Sequence, residues 1–282
     1  ENFLYNYYSK MDNNEIKFDF IVHEKDVGML ETKFIEIGAN VYHVTPKKQS
    51  FLKNIKEINQ IIKQGKYDIV HCHQGFSSFS SLACAKLNGV KVRIVHSHVC
   101  NKNGVSGIKQ KILRFLNKIT GNCFFACSEA AGKWVYGEKW QKNDRNKIIN
   151  NGIDLEKFEF NEQVRHQYRE QFNIKNEKVL LQIGRLSNEK NQLFSIKLLE
   201  QLKNTNNNYK LIIVGNGPTK QEIETQINNM NLRNDVILLE KRDDINNLMS
   251  MSDILLFPSL YEGFGMVAVE AQANSLNVIA ST

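Results

Sequence analysis

Short apolar runs, most of them without alternation, constrain the fold of this chain more than any other feature. In the first half they are Phe18–His23, Val41–Val44, Asp68–Cys72, Val92–Ser97, Cys123–Cys127 and Lys147–Asn150. In the second half they are Val179–Gly184, Leu211–Gly215, Val236–Leu239, Ile254–Phe257 and Val278–Ala280. A strand with one wet face alternates polar and apolar residues. A continuous run marks a strand buried on both faces, and hence a parallel sheet covered by helices. Helical stretches fall between the runs, at 52–64, 77–88, 107–120, 189–203, 218–231 and 265–274. This strand–helix order predicts an α/β protein with right-handed crossovers.

The chain has 282 residues, enough for two cores. A polar stretch at 155–175, holding Asn161, Glu162, Gln163, Arg165, His166 and Gln167, carries no buried-strand pattern and is read as the boundary. Two tandem Rossmann-like, doubly wound parallel-sheet domains are expected, 1–160 and 161–282, with ligands at the carboxyl ends of their strands. Both are expected to be incomplete at the chain ends. The chain opens at Glu1 without Met, and Ser281 and Thr282 follow a strand with no helix to cover it. No run approaches the roughly 18 apolar residues of a membrane span, and the opening Phe3, Tyr5, Tyr7, Tyr8 is no secretory leader. A formal charge of +7 suits an anionic partner without choosing one. Five cysteines, at 72, 84, 100, 123 and 127, form no C-x-x-C and read as reduced, intracellular thiols.

Three strand ends carry residues suited to anions and sugars. After Gly184 a short loop presents Arg185 and Lys190 ahead of a helix, two cations that could grip a phosphate or diphosphate. Solvated surface cations are the alternative. Val214-Gly215-Asn216-Gly217-Pro218 is a glycine turn that could let backbone approach a ligand. It is not the dinucleotide fingerprint, because Lys220 stands where the third glycine belongs. In Pro258-Ser-Leu-Tyr-Glu262-Gly263-Phe264-Gly265-Met266, Glu262 sits in a loop and the N–H groups at 264–266 are candidates for a phosphate or sugar. Glu270 follows among Val267, Ala268, Val269 and Ala271, where a carboxylate needs a partner.

The first half offers His71-Cys72-His73 and His96-Ser97-His98. Residues i and i+2 share a strand face, so each pair could chelate a metal. Each pair lacks further ligands, since only His23, His43 and His166 remain and no acid occurs between Asp68 and Glu129. No metal is therefore assigned, and hydrogen bonding to a substrate is the preferred role. The segment 97–128 holds no acid at all. Its helix, 107–120, sets Ile108, Ile112, Phe115, Leu116 and Ile119 on one face beside Lys111, Arg114 and Lys118. Such a helix either packs on the core or lies on anionic lipid.

Taken together, Glu262…Glu270, Gly184 to Asn191, Val214 to Pro218 and Asn151-Gly152-Ile153-Asp154 resemble the retaining GT-B glycosyltransferases of family 4. Val95 to His98 and Ala126 to Trp134 resemble its bacterial capsular and exopolysaccharide branch. The resemblance implies transfer from a nucleotide-sugar, most simply a UDP-sugar, to a glycan or lipid-linked acceptor, with retained configuration and neither metal nor other cofactor. It implies that Arg185 and Lys190 stabilise the leaving diphosphate. Glu262, Phe264, Gly265 and Met266 would hold the donor sugar, and Glu270 the ribose. Gly184, Gly215 and Gly217 would lie beside the nucleotide, with Arg242 flanking the base. His96, with His98 second, would be the histidine near the sugar, and Glu1 would be the acidic residue of the family's first glycine loop. By the same resemblance the first domain takes the acceptor and the second the nucleotide-sugar. The enzyme would work in the cytoplasm, against the inner membrane face, with no nucleic-acid partner. The chain would be an internal fragment of a longer enzyme. The alternatives are a sugar-nucleotide epimerase of the same architecture, a hydrolase using metal at the His-x-His pairs, and a non-catalytic nucleotide-sugar-binding protein.

Overall fold

The computed structural model describes residues 2–12, 14–28, 30–98, 107–205, 208–262 and 264–281. The chain forms two compact units, Glu1–Gly152 and Ile153–Thr282.

The first unit runs α1 (Asn2–Tyr8), β1 (Asp19–Val22), α2 (Glu31–Glu36), β2 (Asn40–His43), α3 (Phe51–Gly65), β3 (Ile69–Cys72), α4 (Phe79–Leu87), β4 (Val92–Ser97), α5 (Gly107–Thr120), β5 (Cys123–Ala126), α6 (Glu129–Tyr136) and β6 (Lys147–Ile148). Its strands pair in parallel as two sheets, β1–β2 and β3–β4–β5–β6. Helix α3 starts where Ser50 accepts from the Lys53 amide, and it buries Ile58 and Ile62 against Val44, Cys84 and Val90. Among the described residues Cys72, Cys84, Cys123 and Cys127 form no disulfide, and Cys100 lies outside them.

Helix α5 is turned the opposite way to an ordinary surface helix. Its apolar row faces outward, with Ile108 77%, Ile112 52%, Phe115 62% and Ile119 44% exposed. Its polar row faces the protein. Arg114 donates to the carbonyls of Val135 (3.2 Å) and Lys133 (3.3 Å), and buried Asn117 donates to those of Gly75 and Phe76. Arg114 is thus a structural anchor, not one of the outward cations; Lys109, Lys111 and Lys118 are those.

The second unit runs α7 (Glu162–Gln171), β7 (Lys178–Ile183), α8 (Gln192–Lys203), β8 (Tyr209–Val214), α9 (Lys220–Asn229), β9 (Val236–Leu239), α10 (Ile245–Met251), β10 (Ile254–Phe257), α11 (Met266–Ala273) and β11 (Asn277–Ala280). These five strands make one parallel sheet in the order β11–β10–β7–β8–β9. Alternate residues of one strand enter different cores. Val179, Leu181, Ile212 and Val214 pack on one face, and Leu180, Leu211 and Ile213 on the other. That is why the runs read as continuous.

The units divide at Gly152 and Ile153, ahead of the expected 160/161. The reason is packing: Phe158 lies in the second unit's core and its carbonyl accepts from Asn274. The polar stretch read as a boundary is α7, docked by Arg165 onto Ser250, Ser252 and Asp253.

Candidate functional site

Strand β7 lies at the centre of its sheet. The chain goes from it to β8 and β9 on one side, then returns to β10 on the other. The point where a doubly wound sheet reverses direction leaves a crevice at the strand ends. Because all strands are parallel, the loops after β7, β8 and β10 leave the same edge side by side.

The β7 loop is shaped by backbone contacts. Gly184 and Gly215 have φ of 155° and 151°, where side chains are rarely tolerated. A Cβ on Gly215 would lie 1.9 Å from the Gly184 carbonyl oxygen, and one on Gly217 would lie 2.1 Å from that of Leu186. In this structure the close approach that these glycines permit is therefore to their own chain. Two buried glutamines that the sequence reading passed over complete the loop. Gln182 donates to the Lys190 carbonyl (2.8 Å) and Gln192 to that of Arg185 (2.9 Å). A glutamine inside the apolar run Val179–Ile183 was the available signal.

Lys190 leaves a single helical turn, Asn188–Lys190, and its ammonium pairs with the Glu262 carboxylate 72 residues later in sequence. Ser259 donates to the same oxygen, Oε1, at 2.9 Å. The Oε2 atom of Glu262 has no hydrogen bond among the described residues. Leu260 N–H donates to the Glu189 carbonyl (2.8 Å), tying the two loops together. Arg185 is exposed, and among the described residues its guanidinium makes no hydrogen bond.

Gly265, in the left-handed region at φ 71°, precedes α11, and a Cβ there would meet the Phe257 ring at 3.1 Å. Phe264 is exposed beside it, and Met266 is the first helical residue. Glu270 is only 8% exposed and its carboxylate is unbonded among the described residues. Burial raises its pKa, with Lys157 opposing. Arg242 is held by both oxygens of Asp244, which also accepts from Tyr168. Its hydrogen bonds to Asp244 raise its pKa and lower that of Asp244. Glu1 and Gly263 lie outside the described residues.

In the first unit, pairing of β3 with β4 brings both His-x-His pairs into one cluster. His71 Nε2 lies 3.0 Å from His96 Nδ1, and His73 Nδ1 lies 2.8 Å from His98 Nε2. His98 Nδ1 contacts Asn151 Oδ1 at 3.2 Å. His96, expected at an open strand end, is instead fully enclosed at 0% exposure. Its ring sits 5.1 Å from that of Phe3 and 5.9 Å from that of Phe125. Burial lowers the His71 pKa to about 4, that of His96 to about 2, and that of His73 well below its ordinary value.

A family model described as Glycosyltransferase Family 4 matches residues 1–157, and one described as Glycosyl transferases group 1 matches 164–282. EpsF of Bacillus subtilis (strain 168), a glycosyltransferase by name, is 32% identical over 292 residues, spanning 100% of this chain and 75% of EpsF. The Escherichia coli UDP-Gal:alpha-D-GlcNAc-diphosphoundecaprenol alpha-1,3-galactosyltransferase is 27% identical over 285 residues, 94% of this chain and 72% of that protein. Anabaena Alr3699/HepE, solved with UDP and glucose, matches in fold with a TM-score of 0.80 at 20% identity, over 99% of this chain and 75% of that one.

Proposed function

The chain belongs to glycosyltransferase family 4, and from that premise we propose that it moves a sugar from a UDP-sugar to a lipid-linked glycan with retention of configuration, in cell-surface polysaccharide synthesis. The observation that carries the reading is the meeting of Lys190 with Glu262 at the reversal point of the second sheet, next to an unbonded Arg185. Departure of the nucleoside diphosphate builds negative charge on phosphate oxygens. Cations fixed beforehand stabilise that charge more than they stabilise the ground state. Lys190 is fixed by Glu262, and Glu262 by Ser259, so neither has to be ordered when donor arrives. With Oε1 occupied, Oε2 of Glu262 is available to accept from a donor-sugar hydroxyl. The buried, unbonded carboxylate of Glu270 suits the paired hydroxyls of a ribose. UDP as the nucleotide, and a diphosphoundecaprenol-linked acceptor, are supported by the names of the E. coli relative and of the Anabaena complex. On the acceptor side His96 is enclosed, and both ring nitrogens of His98 are engaged, by His73 and Asn151, so neither histidine is assigned to the substrate.

The test is a panel of UDP- and GDP-sugars offered to the full-length protein with and without polyprenyl-diphosphate-linked acceptor, with product anomers read by NMR. Acceptor-dependent transfer with retention supports the proposal. Turnover of donor without acceptor would instead support an epimerase. In the same assay Glu270→Gln is expected to weaken binding of free UDP about tenfold, the scale of one lost charged hydrogen bond. Glu262→Gln is expected to leave free UDP binding intact and to weaken the intact donor. Unchanged binding of both ligands in both variants removes these roles.

Helix α5 suits a lipid-linked acceptor. Its outward Ile108, Ile112, Phe115 and Ile119, flanked by Lys109, Lys111 and Lys118, form an interfacial face, and we assign it to the anionic cytoplasmic leaflet. Among the described residues no helix is long and apolar enough to cross a membrane. Each lysine near such a surface contributes about 1 kcal/mol, screened by salt. The triple change of Lys109, Lys111 and Lys118 to Gln is expected to abolish most sedimentation with anionic vesicles at low salt and to spare binding of soluble donor. Equal sedimentation of both proteins refutes this face.

A further inference from the structure

The objection to a metal at either His-x-His pair is a shortage of further ligands. Pairing of β3 with β4 removes it, because each pair supplies what the other lacks. We propose that His71, His73 and His96 form a binding site for a borderline divalent cation, with Zn2+ the best fit. Each of the three offers a ring nitrogen, and these atoms lie within 4.8 Å of one another. Zn–N bonds of about 2.0–2.1 Å in a tetrahedron put ligand nitrogens about 3.4 Å apart. Within the cluster, ring nitrogens of His71 and His96 already lie 3.0 Å apart, close to that spacing. The buried Nε2 of His96 has no hydrogen-bond partner, an orphaned polar atom of the kind that a bound ion or water satisfies.

The choice of ion follows from the donor set. All three ligands are imidazoles, and no Asp or Glu occurs between Asp68 and Glu129 to bring a carboxylate from these strands. Mg2+, Ca2+ and Mn2+ favour oxygen donors, whereas imidazole suits Zn2+, Cu2+ and Ni2+. Three protein ligands leave the fourth tetrahedral position open. The cluster also holds the outer support that metal histidines ordinarily have. The Nδ1 of His73 is engaged by His98, and His98 is engaged by Asn151, which fixes the His73 ring and leaves its Nε2 for the ion. His98 is thus a positioning residue for this site.

The site uses first-unit residues only and is read without donor or acceptor, so its failure and that of the transferase reading are separate results. The experiment takes metal-stripped full-length protein and measures Zn2+ by equilibrium dialysis and Co2+ by its visible tetrahedral bands. About one ion per chain at micromolar free metal is expected, with a rise in Tm on adding Zn2+. His71→Gln and His96→Gln are each expected to weaken binding at least about tenfold, the lower end of what disturbing a metal shell costs. His43→Gln, outside the cluster, should not. Absence of both stoichiometric binding and a Zn2+-dependent Tm rise in the wild-type protein overturns the proposal, even if a variant fails to fold. So does undiminished binding in folded His71→Gln and His96→Gln proteins.

Discussion

Arg185→Ala is expected to lower kcat by about a hundred- to a thousandfold with no change in Tm. The guanidinium is exposed and makes no hydrogen bond among the described residues, so its removal costs the fold nothing. On the proposed role its loss would be felt when the diphosphate departs, where one preorganised charge or donor is worth about 2.7–4 kcal/mol. Lys190→Ala should lose as much activity, but by a mixed route. It removes a charge and also leaves the half-buried Glu262 with Ser259 alone. The two variants should therefore differ in donor KM, which rises for Lys190→Ala more than for Arg185→Ala. Free UDP binding by calorimetry separates ground-state loss from transition-state loss. If Arg185→Ala turns over within about fivefold of the wild type, the diphosphate role is wrong.

Gly215→Ala should be the most damaging small substitution in the second unit. Its methyl would be placed 1.9 Å from the carbonyl oxygen of Gly184, a residue whose own N–H is bonded to the Val214 carbonyl at 3.0 Å. Strain and overpacking together come to about 3 kcal/mol, or about 10 °C in Tm for a unit of this size. Gly184→Ala is the internal control. Its φ of 155° nearly matches the 151° of Gly215, so the backbone cost is shared. The nearest neighbours of its Cβ are Lys190 side-chain atoms at 3.5 Å, which can move aside. The difference in Tm between the two variants thus isolates the clash between the β7 and β8 loops. Equal Tm values would mean that the loops part at little cost.

The sequence reading was accurate where burial forces a pattern. Val92–Ser97, Val236–Leu239, Ile254–Phe257 and the helix 107–120 coincide with β4, β9, β10 and α5. It passed over α1, α2, α6 and α10, helices of six to eight residues that complete about two turns and so give no period to detect. It took α7 for a linker because that helix buries no residue and docks through arginines. The apolar stripe of α5 was legible but its direction was not, since a stripe says which residues share a face and not what the face meets. Arg114 and Asn117 set the direction by capturing carbonyls. In the candidate site the sequence named residues one by one, while the mutual engagement of Lys190 and Glu262 needed the strand order. The histidine cluster was missed in the same way: two motifs 25 residues apart were weighed singly, and register makes them one.

The position of β7 also governs the order in which the second unit can be made. A ribosome delivers β7, β8 and β9 consecutively, and each can zip onto its predecessor as it emerges. The other flank of β7 waits for Ile254 and Leu255, which pair with Leu180 and Leu181 some seventy residues later. Until then the nascent sheet carries a bare, largely apolar edge at its middle strand, the kind of edge that recruits strands from other chains. Loss of β10 by premature termination therefore leaves a sticky half-sheet, whereas loss of β11 leaves only an outer edge open. Co-translational misassembly should rise sharply for truncations that end before residue 254 and remain low for those that end after 275.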